Sequence, residues 1–403
     1  MENKQELDWV VWGSELSPFL LKVIAMCRFK NFSFRHLPVE GTFRENWHYE
    51  FRRQRLIKGK LPLTWPEMTE LDEFPAVPFI FGPNGENLYD STAIAYWLDR
   101  QAPLNSDIPD LVPEIDRVLK FIISLIDEYA DEYGLYMVHH YRWKVAAGDN
   151  TAGERFACEN SSAIGPLWRL LKIFIKTRQT VRMPYLFSVA PEGFHTAPKS
   201  KTFFQPPSRK GFPPTYDLLE ESYLNLLAAL EPVLEGRPYL FGDRFTLADA
   251  SIYGQLDMNM TDPSVAEIIE KHAPTTWQWL KRIQSGDFSE SLPQGKLVVD
   301  GTIMPLLAEI CRVFVPLMQQ NYQAYLNYQE QGETLFNEKA FWQNRSLYKG
   351  QLDGTPFQTV VKSFQVRTWL DLRKQWDGLE SAEKEQIEQL LPANHGLDHD
   401  LYA

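Results

Sequence analysis

Three short segments within the first hundred residues carry side chains that do chemistry together. Ser17-Pro18-Phe19 puts a hydroxyl where a helix would begin. A helix start presents unpaired N–H groups and the positive end of its dipole, so a donor placed there favours an anion. Val77-Pro78 offers a main-chain edge ahead of a proline. X-Pro is the only bond at which cis is at all common, and an extended ligand can pair with the edge as an added strand. Asp90-Ser91 sets a carboxylate and a hydroxyl at a second helix start, suited to an ammonium and a carboxylate respectively. The three together describe a site for a short extended ligand with a nucleophilic atom at one place and a zwitterionic end at another.

The elements that position these residues follow from pattern. Trp9-Val10-Val11-Trp12 is a strand-like aromatic and β-branched run, ended by Gly13. Pro18 suits the first helical position, which makes Ser17 the N-cap, with Leu20, Leu21, Val23, Ile24 and Cys27 along the helix. Phe32 to Val39 predicts a second strand, Val77 to Phe81 a third, Gly82-Pro83-Asn84-Gly85 a turn and Leu88-Tyr89 a fourth strand. Ser91 to Arg100 predicts a helix. The order is β-α-β, a variable connection, then β-β-α.

These residues resemble the N-terminal domain of the glutathione S-transferase superfamily. Ser17-Pro18-Phe19 stands where omega-class members carry Cys-Pro-Phe and zeta-class members a serine. Ala76-Val77-Pro78 is similar to the family's Val-Pro before the third strand, and Asp90-Ser91 to its Glu-Ser or Gln-Ser. Downstream, Gly242-Asp243-Arg244-Phe245-Thr246-Leu247-Ala248-Asp249-Ala250 resembles the buried helix start of the family's helical domain, with Thr246 as cap and Asp249 bonding back. The likeness covers about residues 8–101 and 215–285.

The resemblance implies a thioredoxin-like α/β domain at 1–101, a mainly α-helical domain at 110–285 with a basic, proline-containing insertion near 169–214, and a helical extension at 286–403. It implies glutathione as co-substrate, bound by Ser17, Phe19, Val77, Pro78, Asp90 and Ser91. Ser17 becomes the donor to the sulfur, and Ser14 is the competing hydroxyl. The thiolate is the nucleophile. Trp12 occupies the region where tyrosine-type members place their phenol. A serine cannot form the mixed disulfide that a cysteine would, so the expected reaction is attack of activated glutathione on a small electrophile. Arg52, Arg53, Lys58 and Lys60 are candidates for the glycine carboxylate. The alternative function is a non-catalytic binding or regulatory protein built on the same fold.

Composition fits this class. Of 403 residues, 44% are hydrophobic and 23% charged, and the net charge of −12 argues against general nucleic-acid binding. No uninterrupted apolar run approaches the roughly 20 residues of a membrane span. The polar start and three scattered cysteines, Cys27, Cys158 and Cys311, suit a reducing, cytoplasmic setting, and a homodimer is the family expectation. Cys27 reads as packing. No metal site is expected, since the adjacent His139 and His140 do not share a helix face.

Beyond the motifs, Val118, Phe121, Ile122, Leu125, Ile126 and Tyr129 predict a long helix from about 110 to 133, continued by the Tyr136 to Trp143 cluster. That cluster is either core or, through Tyr133, Tyr136, His140 or Arg142, part of a second-substrate pocket. The basic stretch from Arg169 to Lys210 predicts a helix and a proline-containing loop, serving either as a solvated surface or as a lid. In the extension, Met304 to Asn327 predicts a buried helix bent or split at Pro316, and Val360 to Trp376 another. Residues 392–403 are expected to form an exposed tail.

Overall fold

In the computed structural model of the chain, the described residues are 9–73, 77–101, 108–165, 168–194 and 207–398. Strands β1 (Val10–Trp12), β2 (Arg35–Leu37), β3 (Phe79–Phe81) and β4 (Asn87–Tyr89) form a sheet of order β2-β1-β3-β4. β1 runs parallel to β2 and antiparallel to β3, and β3 is antiparallel to β4. Alternation along the strands sorts the side chains. Val11, Ile80 and Leu88 join the main core, while Val10, Trp12, Phe79, Phe81 and Tyr89 form a second core on the other face.

Helices α1 (Pro18–Phe29) and α3 (Ser91–Arg100) contribute to the main core, and α2 (Phe43–Ile57) covers the other face through Leu56 and Tyr49. α2 starts on a capping box: Glu45 Oε2 accepts from the Thr42 N–H at 2.8 Å, and Thr42 Oγ1 accepts from the Glu45 N–H at 3.4 Å. It fills the connection between β2 and β3 whose sequence showed no clear pattern.

The mainly helical part begins with α4 (Arg117–Tyr129), which runs through a π-turn at Ala130–Gly134 into α5 (Leu135–His140) and a second π-turn at Tyr141–Val145. α6 (Ala152–Glu159), α7 (Ser161–Ile164), α8 (Trp168–Arg182), α9 (Tyr216–Glu235), α10 (Leu247–Met260), α11 (Pro263–His272) and α12 (Pro274–Gln284) follow. α10 is buried all round, as a central helix must be. Its start is held by Asp249, whose carboxylate accepts from the Thr246 N–H at 3.0 Å, the Thr246 hydroxyl at 2.7 Å and the Leu240 N–H at 2.8 Å.

Two contacts fix α1 against the helical part. Gly254 of α10 leaves room for the α1 backbone, since a Cβ there would lie 2.5 Å from the Pro18 carbonyl oxygen. Buried Lys22 of α1 donates to Asp127 of α4 at 2.5 Å, to Asp131 of the π-turn after it at 2.7 Å, and to Thr92 Oγ1 of α3 at 3.0 Å. Burial pushes the Asp131 carboxyl up to about 7, with Lys22 pulling the other way.

The last third holds α13 (Met304–Glu309), α14 (Val315–Glu330), α15 (Asn337–Trp342), the hairpin β5 (Leu347–Leu352) and β6 (Thr355–Val360), α16 (Ser363–Gly378) and α17 (Ser381–Glu388). Pro316 does not split its helix. A π-turn at Ile310–Phe314 precedes it, and the wider turn accommodates a ring that lacks an N–H and would press on the carbonyl four residues back. The combined run Gly301–Glu330 is long and apolar enough to cross a membrane by composition, yet 61% of its apolar window is buried inside the molecule. It is a core helix that packs on α9 and α16.

Two expectations are corrected here. The helix expected from Val360 begins at Ser363, because Val360 ends the hairpin. The tail is not free up to residue 398: Leu397 is buried, Trp376 Nε1 donates to Asp398 Oδ1 at 3.1 Å, and Gln319 Nε2 donates to the Gly396 carbonyl at 2.6 Å. Residues 399–403 lie outside the described residues.

Candidate functional site

A cavity of about 1380 Å³ opens between the sheet, the helical part and the extension. Ser14, Ser17, Phe19, Val77, Pro78, Asp90 and Ser91 all line it, so the three sequence motifs converge on one space. Ala76 lies outside the described residues.

The two candidate hydroxyls differ in what they touch. Ser14 Oγ donates to Glu159 Oε2 at 2.5 Å and accepts from the Leu16 N–H at 3.2 Å. Burial pushes the Glu159 carboxyl up to about 7, with the Ser14 hydrogen bond opposing. Ser17 is extended at the N-cap of α1, with φ −91° and ψ 121°, yet its side chain makes no cap hydrogen bond. Its hydroxyl therefore remains available to the cavity, at the positive end of a twelve-residue helix.

The Val77–Pro78 bond is cis. Strand pairing starts only at Phe79, and the Val77 N–H and C=O have no backbone partner among the described residues. An unpaired N–H and C=O beside a cavity are the elements of a docking edge.

Asp90 has φ 68°, a left-handed backbone that a non-glycine residue adopts at a cost of order 1–3 kcal/mol. Its Oδ1 caps α3 by accepting from the Ala93 N–H at 2.9 Å. Its Oδ2 accepts from Arg367 Nη2 at 3.0 Å. Thus an arginine of α16 sits on the oxygen expected to meet an ammonium. Ser91 Oγ donates to Asp131 Oδ2 at 3.3 Å. Nearby, Glu128 also lines the cavity, and burial together with Asp127, Asp131, Glu132 and Asp90 pushes its carboxyl well up.

The extension forms a wall that sequence reasoning missed. Lys362, Phe364, Arg367, Asp371 and Lys374 line the cavity, opposite no recognisable motif. The basic stretch contributes Arg178, Gln179 and Arg182 of α8, so part of it is a wall and not only a solvated surface. Arg182 is held by Glu338 through two hydrogen bonds of 2.8 Å. Part of the loop beyond, 195–206, lies outside the described residues.

Other candidates separate cleanly. Tyr136 and Arg142 line the cavity, whereas Tyr133 and His140 pack away from it. His140 contacts Ser188 Oγ at 2.7 Å and Glu220 Oε1 at 3.0 Å. His139 lines the cavity with its Nε2 unpartnered among the described residues, and burial pushes its ring down to about 3, so it is neutral. Among the four basic candidates of the α2 region, Arg53 alone lines the cavity. Arg52 instead donates to Asn87 Oδ1 and the Glu86 carbonyl, both at 2.8 Å, and lies over Phe81. Cys27 is buried in the core. Glu388, His395 and Asp398 bring donor atoms within 4.8 Å of one another, but none of the three lines the cavity.

Residues 12–106 match the glutathione S-transferase N-terminal domain, and residues 198–287 match the glutathione S-transferase C-terminal domain. The chain belongs to the glutathione S-transferase superfamily. No curated protein gives a significant sequence match. Among solved structures, a beta-etherase of a Sphingobium strain is similar at 16% identity and TM-score 0.42, covering 70% of this chain and 98% of its own. A glutathione S-transferase of Methylobacillus flagellatus, crystallised with glutathione bound, is similar at 16% identity and TM-score 0.36, covering 71% of this chain and 99% of its own. One from Ceriporiopsis subvermispora, in complex with glutathione, is similar at 14% identity and TM-score 0.37, covering 70% and 98%. The small mixed sheet followed by a mainly helical domain is the family's fold.

Proposed function

We propose that this superfamily member binds glutathione and activates its thiol for attack on a small electrophile. The observation that carries the proposal is the Ser17 hydroxyl. It is free of its own helix cap, it stands at the start of α1, and it shares a cavity with the Val77 backbone, which is unpaired among the described residues. A free thiol has a reference pKa near 8.5, so about one in thirty is ionised at neutral pH. A hydroxyl donor and the helix end both favour the thiolate. Ser14 is the weaker candidate because its proton is directed at Glu159.

In this reading the cysteinyl part of the peptide pairs with Val77, beside Pro78 and Phe19. The γ-glutamyl carboxylate meets Ser91 and the first turn of α3. The ammonium approaches Asp90 from the side not taken by Arg367, with Glu128 as a further acceptor. A carboxyl held up by burial and by like charges ionises more readily once a cation arrives beside it. Arg53 is the cation nearest in type and place for the glycine carboxylate. The reading also carries a homodimer, which sedimentation analysis tests.

The test compares wild type, Ser17→Ala and Ser14→Ala for glutathione binding by calorimetry and for turnover with a panel of electrophiles. Ser17→Ala is expected to bind glutathione and lose turnover, and Ser14→Ala to keep it. Equal activity of Ser17→Ala and wild type would remove Ser17 from the chemistry.

A second reading has its own observation. Arg367 already gives Asp90 a cation. A site furnished with an internal partner suits a binding or regulatory protein whose site is closed by its own extension. Absence of glutathione binding by wild type would favour it.

A further inference from the structure

Lys362 joins β6 to α16, and its backbone is fixed on both sides by Asn321. The Lys362 N–H donates to Asn321 Oδ1 at 2.9 Å, and Asn321 Nδ2 donates to the Lys362 carbonyl at 2.9 Å. The side chain is only 2% exposed, yet it lines the cavity. Its Nζ lies 4.2 Å from the centre of the Tyr136 ring and 4.9 Å from that of Tyr185, and it donates to Tyr136 Oη. Gln365 Nε2 donates to the same Oη at 2.9 Å and to Glu132 Oε2 at 2.9 Å, which sets the direction of the Tyr136 hydroxyl.

An ammonium has three donors. Among the described residues, Tyr136 Oη is the hydrogen-bond acceptor that Nζ meets, and no carboxylate forms an ion pair with it. The charged groups that face it are Glu132 near α5, Glu73 after α2, Glu338 of α15 and Arg182 of α8. Arg182 and Glu338 are engaged with each other. Glu132 is engaged by Gln365, and burial pushes its carboxyl up to about 7; burial also raises that of Glu73. A buried amine with unfilled donors and no carboxylate in contact is costly to keep, and such groups concentrate where a ligand completes them.

We propose that Lys362 donates to the second substrate, at an oxygen that gains negative charge when the thiolate attacks. The proposal rests on the glutathione reading above and adds the class of electrophile, a conjugated aromatic carbonyl compound. The cavity exceeds the roughly 300–1,000 Å³ of an ordinary ligand pocket, which leaves room for a second molecule beside the peptide. Tyr136, Tyr185 and Phe364 offer the aromatic surface. The thiol proton leaves to solvent at activation. The sulfur lone pair then forms the C–S bond at the β carbon, the carbon–carbon π pair becomes the double bond between the α carbon and the carbonyl carbon, the C=O π pair moves onto the oxygen, and the Lys362 ammonium passes a proton to that oxygen. Solvent reprotonates the amine, and the enol becomes the ketone. The sum is addition of S–H across a double bond, with no oxidation or reduction. Burial pushes the Lys362 ammonium down to about 7, near the pH at which proton donation is most effective.

The experiment measures kcat/KM with glutathione and either benzylideneacetone, a conjugated ketone, or benzyl chloride, whose displacement puts no charge on oxygen. Lys362→Met is expected to lose about 100-fold on the ketone, as when one oxyanion donor is removed. It is expected to lose less than threefold on benzyl chloride, with glutathione affinity unchanged. Lys362→Arg is expected to recover part of the loss. Equal losses on both substrates, or none on the ketone, overturn the proposal. A second measurement uses wild type alone: the ratio of ketone to benzyl chloride rates is expected to fall as pH rises through about 7, because the proton donor is then lost. A flat ratio overturns the proposal while leaving glutathione activation intact. Failure of wild type to bind glutathione overturns the underlying reading and this proposal with it.

Discussion

Arg367 Nη2 stands 3.0 Å from Asp90 Oδ2 while its Nε stands 2.7 Å from Asp72 Oδ1. One guanidinium of α16 thus ties together the loop after α2 and the cap of α3. Both acids are largely shielded from water, so loss of the cation leaves two carboxylates uncompensated. Arg367→Gln is expected to cost about 1–2 kcal/mol of stability in urea titrations. With Asp90 Oδ2 released to the ligand ammonium, it is also expected to tighten glutathione binding three- to tenfold by calorimetry. Weaker binding would mean that Arg367 itself holds a ligand carboxylate.

Gly254 decides how closely α1 approaches α10. The two nearest atoms that a Cβ would meet are backbone atoms, Pro18 O at 2.5 Å and Lys22 N at 2.9 Å, so no side-chain rotation relieves the clash. Gly254→Ala is expected to lower stability by about 1–3 kcal/mol. Because the displaced residue follows Ser17 directly, turnover is expected to fall more than tenfold. Thermal melting and a standard turnover assay check both parts.

Lys22 is the charge that lets Asp127 and Asp131 be buried at the junction of α1 and α4. Lys22→Met leaves both without their cation and is expected to cost roughly 3–5 kcal/mol. Chemical denaturation followed by tryptophan fluorescence measures it. A loss below 1 kcal/mol would show that the acids are accommodated without the lysine, Asp127 by Ser251 and Thr92 and Asp131 by Ser91.

Glu159 links stability to pH. Burial holds its carboxyl near 7 instead of its ordinary 4.5, so the folded state favours the protonated form. That contribution is complete below about 4.5 and is lost as pH rises through about 7. Glu159→Gln is neutral throughout. Relative to wild type it is expected to gain up to about 3 kcal/mol across that interval. Urea midpoints at a series of pH values would show parallel curves if Glu159 does not titrate there.

The parts of the site that were legible in the sequence are those set by local rules. Ser17 and Pro18 mark a helix start, Val77-Pro78 precedes a strand, and Asp90 caps the helix that Ser91 begins. The parts that were not legible depend on distant contacts. Lys362 meets Tyr136 across 226 positions and Arg367 meets Asp90 across 277. Nothing in the neighbourhood of either cation marks it as different from a solvated one. The hairpin of β5 and β6 was within reach. Asp353-Gly354 between Leu352 and Thr355 is a two-residue turn with both φ positive, and Asp-Gly is a strong hairpin signal. Its strands alternate weakly, which masked it. The packed segment up to residue 398 was hidden for a similar reason, since Leu397 is its one member of the hydrophobic core and its other anchors are polar, His395 against Trp376 and the hydrogen bonds of Gly396 and Asp398.

The cavity's extension wall bears on how the protein is made. A ribosome completes Ser17, Val77 and Asp90 early and reaches Lys362 and Arg367 only some 270 residues after the last of these. Until then the nascent pocket is open along one side and carries Asp72, Asp90 and Glu128 without their guanidinium neighbour. A chain that stops ahead of Lys362 and α16 lacks this wall altogether, so the last third of the chain is a condition for an enclosed cavity.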